Sequence, residues 1–443
     1  MIDLPHGWAR IALSGLVSPA GLFSDGDWVE SKDQDANGSI RLLQLADLGD
    51  GVFLDKSSRF VNEEQFKRLR CTEVLEGDIL IARMPDPLGR ACLAPRLPQR
   101  CITVVDVAIL RPGNALVHSA WAMHALNAPQ VRTQIDLESS GTTRRRIARG
   151  KLALFELPVP PVDEQKRIAD KLDAVLARVA ACRDQLNRVP AILKRFRQAV
   201  LAAAMSGRLT EEWRASGGLS APVETTLGAV LRVSSGSFLA ARDMALGGTI
   251  PVFGGNGING HHDQGNVSKE TLVLGRVGYY FGSVHLTPST AWVTDNAMVV
   301  HHDETKTLRR FLYYALQAID LRANDASTAQ PLISGRKLYP LRITIPAMRE
   351  QSEVVRRVES LFAWADRLEA RHAAARTHVE RLTPALLAKA FRGELVPQDP
   401  ADEPASELLE RLGRRPTDNP TGLPKRQGAK RSRADAPQTA SSA

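Results

Sequence analysis

The chain is written twice, and that constrains its fold more than any other feature. KLALFELPVPPVDEQKRI, starting at Lys151, aligns without gaps on KLYPLRITIPAMREQSEV, starting at Lys337. The offset of 186 residues persists to AMSGRL (Ala204–Leu209) against AFRGEL (Ala390–Leu395). Identities include Pro160/Pro346, Glu164/Glu350, Gln165/Gln351, Arg195/Arg381, Gly207/Gly393 and Leu209/Leu395. A weaker echo lies upstream, where Ile79–Pro95 matches Leu272–Pro288, pairing Arg83 with Arg276 and Gly89 with Gly282. Val104–Ala108 (VVDVA) then matches Val293–Ala297 (VTDNA). Two diverged copies of one structural unit are the expected result.

Each copy begins β-like and ends helical. Short runs such as GDILIAR, ITVVDVAIL, TLVLGRVGYYFG and WVTDNAMVV are punctuated by Gly, Pro and Asn, as strands and turns are. The helical part carries apolar residues in alternating steps of three and four. Its seam runs through Ile168, Leu172, Val175, Val179, Cys182, Leu186 and Leu193 in the first copy. In the second it runs through Val358, Leu361, Leu368, Val379 and Leu382. A narrow heptad stripe of about 60 Å needs another helix to cover it, and the repeat supplies one. Two copies related by a two-fold axis pack antiparallel, so an antiparallel coiled coil is expected. Pro190 and Pro384 should kink or restart the helices. The class is therefore α+β: two globular α/β domains in tandem repeat, each followed by a long helix. The expected boundaries are 1–160, 161–212, 213–345, 346–398, and a mostly disordered tail over 399–443 with one short helical patch, SELLERLGRR (Ser406–Arg415).

Composition narrows the function classes. The 443 residues suffice for two to four domains, and no apolar run of membrane-spanning length is present. The start lacks the basic-then-apolar order of a secretory signal, and four cysteines form no CxxC pair, which fits a reducing cytoplasm. The net charge of +9 permits a polyanionic partner without requiring one. It is unevenly distributed: residues 1–80 carry 8 basic and 14 acidic side chains, residues 81–150 carry 10 and 4.

Catalytic signatures are weak. FGGNG (Phe253–Gly257) fits a methyltransferase FxGxG pattern, but the Asn/Asp-Pro-Pro-aromatic partner motif is missing, so a turn between strands accounts for it better. No Walker A sequence occurs. HHD at His261–Asp263 and His301–Asp303 could suggest a metal, yet adjacent strand residues point to opposite faces. Neither a catalytic nor a metal-binding constellation is expected. The β parts instead carry groups suited to DNA base edges, where Arg pairs with guanine and Asn or Gln with adenine. Candidates in the first copy are Arg83, Arg90, Arg144, Arg145 and Arg146. Those in the second are Asn256, Asn259, Arg276, Tyr279, Tyr280, Asn296, Thr328 and Gln330. Features kept in both copies, such as Arg83/Arg276, have a rival structural explanation.

The two helical segments, PPVDEQKRIADKLDAVLARV and IPAMREQSEVVRRVESLFAWAD, resemble the conserved regions of type I restriction-modification specificity subunits. IPVFGGNGINGHHD, LVLGRVGYYFGSVHL and AWVTDNAMVV are similar to that family's target recognition domains. IARMPDPLGR departs from the usual Gly-rich form in the first domain. The resemblance covers residues 1 to about 398. It implies a non-catalytic subunit in which each recognition domain reads one half of a bipartite double-stranded DNA site. The helices would set the spacer and dock two modification subunits, with restriction subunits joining. S-adenosylmethionine, ATP and Mg²⁺ would then reside on those partners, in a bacterial or archaeal cytoplasm. The alternatives are a solitary adenine methyltransferase using FGGNG and a coiled-coil scaffold with protein-binding β modules.

Overall fold

The computed structural model describes residues 4–85, 87–141, 145–244, 247–277, 281–322 and 333–411. They form two compact units, one from residues 1–181 with 379–443 and one from residues 182–378. Each long helix therefore contributes residues to both units.

Among the described residues the first unit holds nine strands: β1 (Ala9–Ala12), β2 (Leu22–Asp25), β3 (Ile40–Leu43), β4 (Phe60–Val61), β5 (Ile79–Ala82), β6 (Ala91–Leu93), β7 (Cys101–Thr103), β8 (Val107–Arg111) and β9 (Glu156–Val159). They make a four-stranded sheet β2-β8-β5-β6, a three-stranded sheet β4-β3-β7 and the pair β1-β9. The second unit holds β10 (Val223–Thr226), β11 (Leu231–Ser235), β12 (Ile250–Gly254), β13 (Gly257–His262), β14 (Leu272–Gly275), β15 (Val284–Leu286), β16 (Trp292–Val293), β17 (Ala297–His302) and β18 (Arg342–Ile345). Its sheets are β11-β17-β14-β15, β13-β12-β16 and β10-β18, the same order strand for strand. The expected duplication is thus present at the level of topology.

Sequence pattern explains the sheet positions. β5 (ILIA) and β14 (LVLG) lie inside their four-stranded sheets and are buried at every residue, so they read as unbroken apolar runs. The peripheral β10 and β11 alternate more and are largely exposed. A helix, Ser119–Asn127 in the first unit and Arg309–Ala318 in the second, inserts a large aromatic into each core: Trp121 and Phe311. The register corrects one expected pairing. Gly26 donates to the Val107 carbonyl and Gly236 to the Ala297 carbonyl, so these copies correspond at an offset of 190. The match of Val104–Ala108 to Val293–Ala297 is one residue out, because DxA occurs in both segments in shifted frame.

The long helices span Val162–Met205 and Met348–Ala390. Both run on through Pro190 and Pro384, so neither restarts there as expected. Gly207 and Gly393 follow them with φ of 74° and 75°, the left-handed conformation that ends a helix most cheaply at glycine. In the second unit the helices run antiparallel. Phe196 packs edge-on against Trp364 at 5.5 Å, Arg197 bonds Glu369 at 2.9 Å, and His372 Nε2 donates to the Leu186 carbonyl at 2.8 Å. Position thus rises along one helix as it falls along the other. In the first unit Leu172 shares a core with Leu387, Ala390 and Phe391. Leu172, Val175, Val179, Leu186, Leu193, Val358, Leu361, Leu368, Val379 and Leu382 are all buried or half-buried. Cys182 is exposed and does not belong to the seam.

The helical patch expected near the start of the tail is present and packed. Ala405–Arg411 is helical, Ala405 and Leu408 are buried, and Ala405 N–H donates to the Gly7 carbonyl at 2.8 Å. Arg167 grips Asp402 through both guanidinium nitrogens. The rest of the tail, 412–443, lies outside the described residues.

Candidate nucleic-acid interface

Buried polar groups separate scaffold from surface. Gln165 and Gln351 are fully buried at the start of the two long helices. Each side-chain oxygen accepts the backbone N–H that precedes the neighbouring helix, His118 at 2.9 Å and Leu308 at 2.7 Å. Each side-chain amide donates to a proline carbonyl, Pro160 at 3.1 Å and Pro346 at 2.9 Å. Beside them Glu164 accepts Trp8 Nε1, and Glu350 accepts Thr210 and Arg214. Burial pushes the Glu164 carboxyl up from its ordinary pKa. This repeated Glu-Gln pair fastens the recognition parts to the helices, and satisfying otherwise orphaned buried groups is reason enough for its retention.

The paired arginines are fastenings too. Arg83 is 6% exposed and donates to the Ile147 and Val105 carbonyls at 3.0 and 3.1 Å while pairing with Asp25. Arg276 is half-buried and reaches the corresponding groups, Ser235 Oγ at 3.3 Å and the Asp295 carbonyl at 3.5 Å. Arg90 is also buried, and its guanidinium donates to the carbonyls of Leu48, Pro87 and Leu45. Their guanidiniums are spent on protein carbonyls, so Arg83 and Arg90 are placed as loop clamps. Arg145 folds back on the Asp136 carbonyl at 2.6 Å and Ser139 Oγ at 2.7 Å.

The remaining candidates sit at loop edges, beside exposed aromatics such as Trp28. In the first unit Arg146 pairs with Asp106 at 3.1 Å and lines an open groove of about 760 Å³. Trp28, Gln34, Gln44, Arg59 and Met84 line it as well. These residues come from separate stretches of sequence, and only the fold gathers them; periodicity and motif reading had no means of nominating Gln34, Gln44 or Arg59. In the second unit FGGNG forms the β12–β13 hairpin, with Gly254 paired to Gly257 and Asn256 exposed at the tip. A Cβ on Gly255 would lie 2.6 Å from the Val277 carbonyl, so the turn demands glycine there. Asn259 and Asn296 are exposed. Arg144, Tyr279, Tyr280, Thr328 and Gln330 lie outside the described residues. Among the described residues no group of three His, Cys, Asp or Glu is placed to hold a metal, and no helix is long and apolar enough to cross a membrane.

Two units of one topology on paired helices is the arrangement that the comparisons with known proteins match. The family model for the type I restriction modification DNA specificity domain fits residues 26–191 and again 223–375. The chain belongs to the type I restriction-modification specificity subunit family. It is 33% identical to the StySPI specificity subunit of Salmonella potsdam over 92% of this chain and 95% of that one. It is 29% identical to the EcoKI specificity subunit of Escherichia coli K12, covering 71% and 75%. Among solved structures, one from work on assembly and conformational transition of a type I R-M system aligns with a TM-score of 0.67 at 18% identity, over 88% of this chain and 99% of that one. The HsdS subunit of Thermoanaerobacter tengcongensis aligns with 0.58 at 17% identity, over 88% and 98%. This specificity subunit thus carries two DNA recognition domains, one per copy of the repeat.

Proposed function

We propose that this specificity subunit binds a bipartite double-stranded DNA target, one half-site per recognition domain, and directs adenine methylation or cleavage by partner subunits. The observation that carries the reading is the strand-for-strand duplication combined with divergent exposed edges. The shared Glu-Gln pair is a buried fastening, whereas the first unit lines its groove with Arg146, Arg59, Gln34 and Gln44 and the second exposes Asn256, Asn259 and Asn296. One scaffold bearing two sets of base-edge groups suits two different half-sites.

The chain itself would do no chemistry. Two modification subunits would dock on it and hold S-adenosylmethionine, and restriction subunits would bring ATP and Mg²⁺, all in the cytoplasm. The antiparallel helices would act as a ruler for the unspecified spacer. Co-expression with its modification subunit tests the reading. A complex that transfers methyl groups to adenines of one split sequence is expected, with affinity falling steeply as salt rises. Methyl transfer by the purified chain alone, or binding without sequence preference in the assembled complex, would contradict it.

A further inference from the structure

A second internal correspondence, at an offset of 210 residues, falls where no repeat is apparent in the sequence. β2 and β11 pair with β8 and β17 in the same register, which places Ser24 on Ser234. The backbone then continues alike. Gly26 N–H and Gly236 N–H bond the carbonyls of Val107 and Ala297, and Asp27 N–H and Ser237 N–H bond those of Thr103 and Val293 at 2.8 and 2.9 Å. A Cβ on either glycine would lie within 2.4 Å of a backbone carbonyl oxygen, so only glycine allows this approach. The next residue is Trp28 in one unit and Phe238 in the other. They are 66% and 73% exposed, although large aromatics seldom stand so far out of a fold. Each segment then makes a single 3₁₀ turn, Ser31–Asp33 and Ala241–Asp243. At the same place within each turn is a cation, Lys32 with a side chain 72% exposed and Arg242 at 88%.

The two segments thus share glycine, exposed aromatic, exposed cation and aspartate over SDGDWVESKD and SSGSFLAARD. The glycine is needed for the backbone path. The aromatic is not a core residue in either unit, and its repetition calls for a contact outside the chain. The surroundings favour nucleic acid. Trp28 lines the groove that Arg146, Arg59, Gln34 and Gln44 also line, side chains that bond base edges, with Asp27, Glu30 and Asp106 among them. Glu30 holds Trp28 Nε1 at 3.2 Å and Lys32 at 2.7 Å, so a phosphate at Lys32 would take the place of that carboxylate. Met244, just after the second turn, meets Gly260 on β13, the strand that carries exposed Asn259.

We propose that residues 26–33 and 236–243 are matching DNA-contact fingers, one for each half-site. Trp28 and Phe238 supply apolar contact to the base or sugar edge, and Lys32 and Arg242 engage a phosphate. The proposal rests on the DNA-recognition reading above. A phosphate contact of this kind adds about one unit to the salt slope of binding.

The test uses the complex assembled with its modification subunits. Binding is measured on duplexes carrying the methylated target and on duplexes with one half-site scrambled. Trp28→Ala is expected to weaken binding about tenfold or more and to erase the penalty for scrambling one half-site only. Phe238→Ala should do the same for the other half-site, and Trp28→Phe should retain most of the binding. Lys32→Ala and Arg242→Ala should each lower the salt slope by about one. Assembly and melting temperature serve as controls for folding. Unchanged DNA binding in a normally assembled Trp28→Ala complex overturns the fingers while leaving DNA recognition intact. Unchanged binding with weakened assembly also overturns them and marks the aromatics as a subunit contact. If the wild-type complex shows no sequence preference, the DNA-recognition reading fails and the fingers fail with it.

Discussion

Single residues in this chain divide by whether the protein or a ligand uses them. Gln165 and Gln351 use both ends of their side-chain amides to join the helix start to the recognition part. Gln165→Ala should lower stability by about 1–3 kcal/mol, since it leaves the half-buried His118 N–H and the Pro160 carbonyl without their buried partner. Chemical denaturation reads this directly, and an unchanged midpoint would contradict the clamp role. His124 is buried, and burial pushes its pKa below the ordinary 6.5, outweighing its 2.7 Å bond to Asp173. The unfolded chain therefore takes up the proton first as pH falls. The contribution of the neutral ring is complete above 6.5 and is lost as pH drops through 6.5 toward the lower folded value. Melting temperature should fall from pH 7.5 to 5.5 more steeply in the wild type than in His124→Gln; parallel curves would count against this. At this scale the sequence was only partly legible. The identity of Gln165 and Gln351 stood out in the repeat, but their bonds to backbone groups 47 and 43 residues away could not be seen. Arg83 and Arg90 looked like base readers because an arginine buried among carbonyls and an arginine facing solvent are written alike.

Elements were more legible, because periodicity survives divergence. The three-four spacing located both long helices, while the Gly207/Gly393 identity that follows their ends was visible only as part of the repeat. Cys182 broke the pattern: a heptad position is occupied by whatever the helix path presents there, and here that is solvent. At the prolines neither helix restarts, since a long helix packed along its length can absorb a missing hydrogen bond. The segments at offset 210 are hard to pair by sequence because six of ten positions keep their character and only three are identical, and the backbone bonds that align them come from distant strands. Helix length carries a prediction of its own under the ruler proposal. Seven residues rise about 10.5 Å, close to three base-pair steps of ~3.4 Å. Deleting one matched heptad from both helices should shift the tolerated spacer by about that much. An unchanged spacer preference, measured on a series of duplexes with varied gaps, would sink the ruler.

At the scale of the whole molecule the two units have their own cores and a common plan. The first core extends from Trp8 through Trp121 to Leu408, so the chain's beginning and the start of its tail are part of one unit. The second is built around Phe311, Leu312 and Val358. The tail's one short helical patch, SELLERLGRR, is helical over Ala405–Arg411 and buries Ala405 and Leu408, but seven residues with so few apolar side chains do not show in sequence where they pack. Separate cores on one plan allow each recognition domain to vary without the other. The most direct test exchanges residues 213–345 for the corresponding segment of the StySPI subunit and maps methylated adenines in cells that also express the modification subunit. The expected map keeps one half of the original split sequence and replaces the other. A map in which both halves change, or neither does, would contradict the assignment of one half-site to each domain.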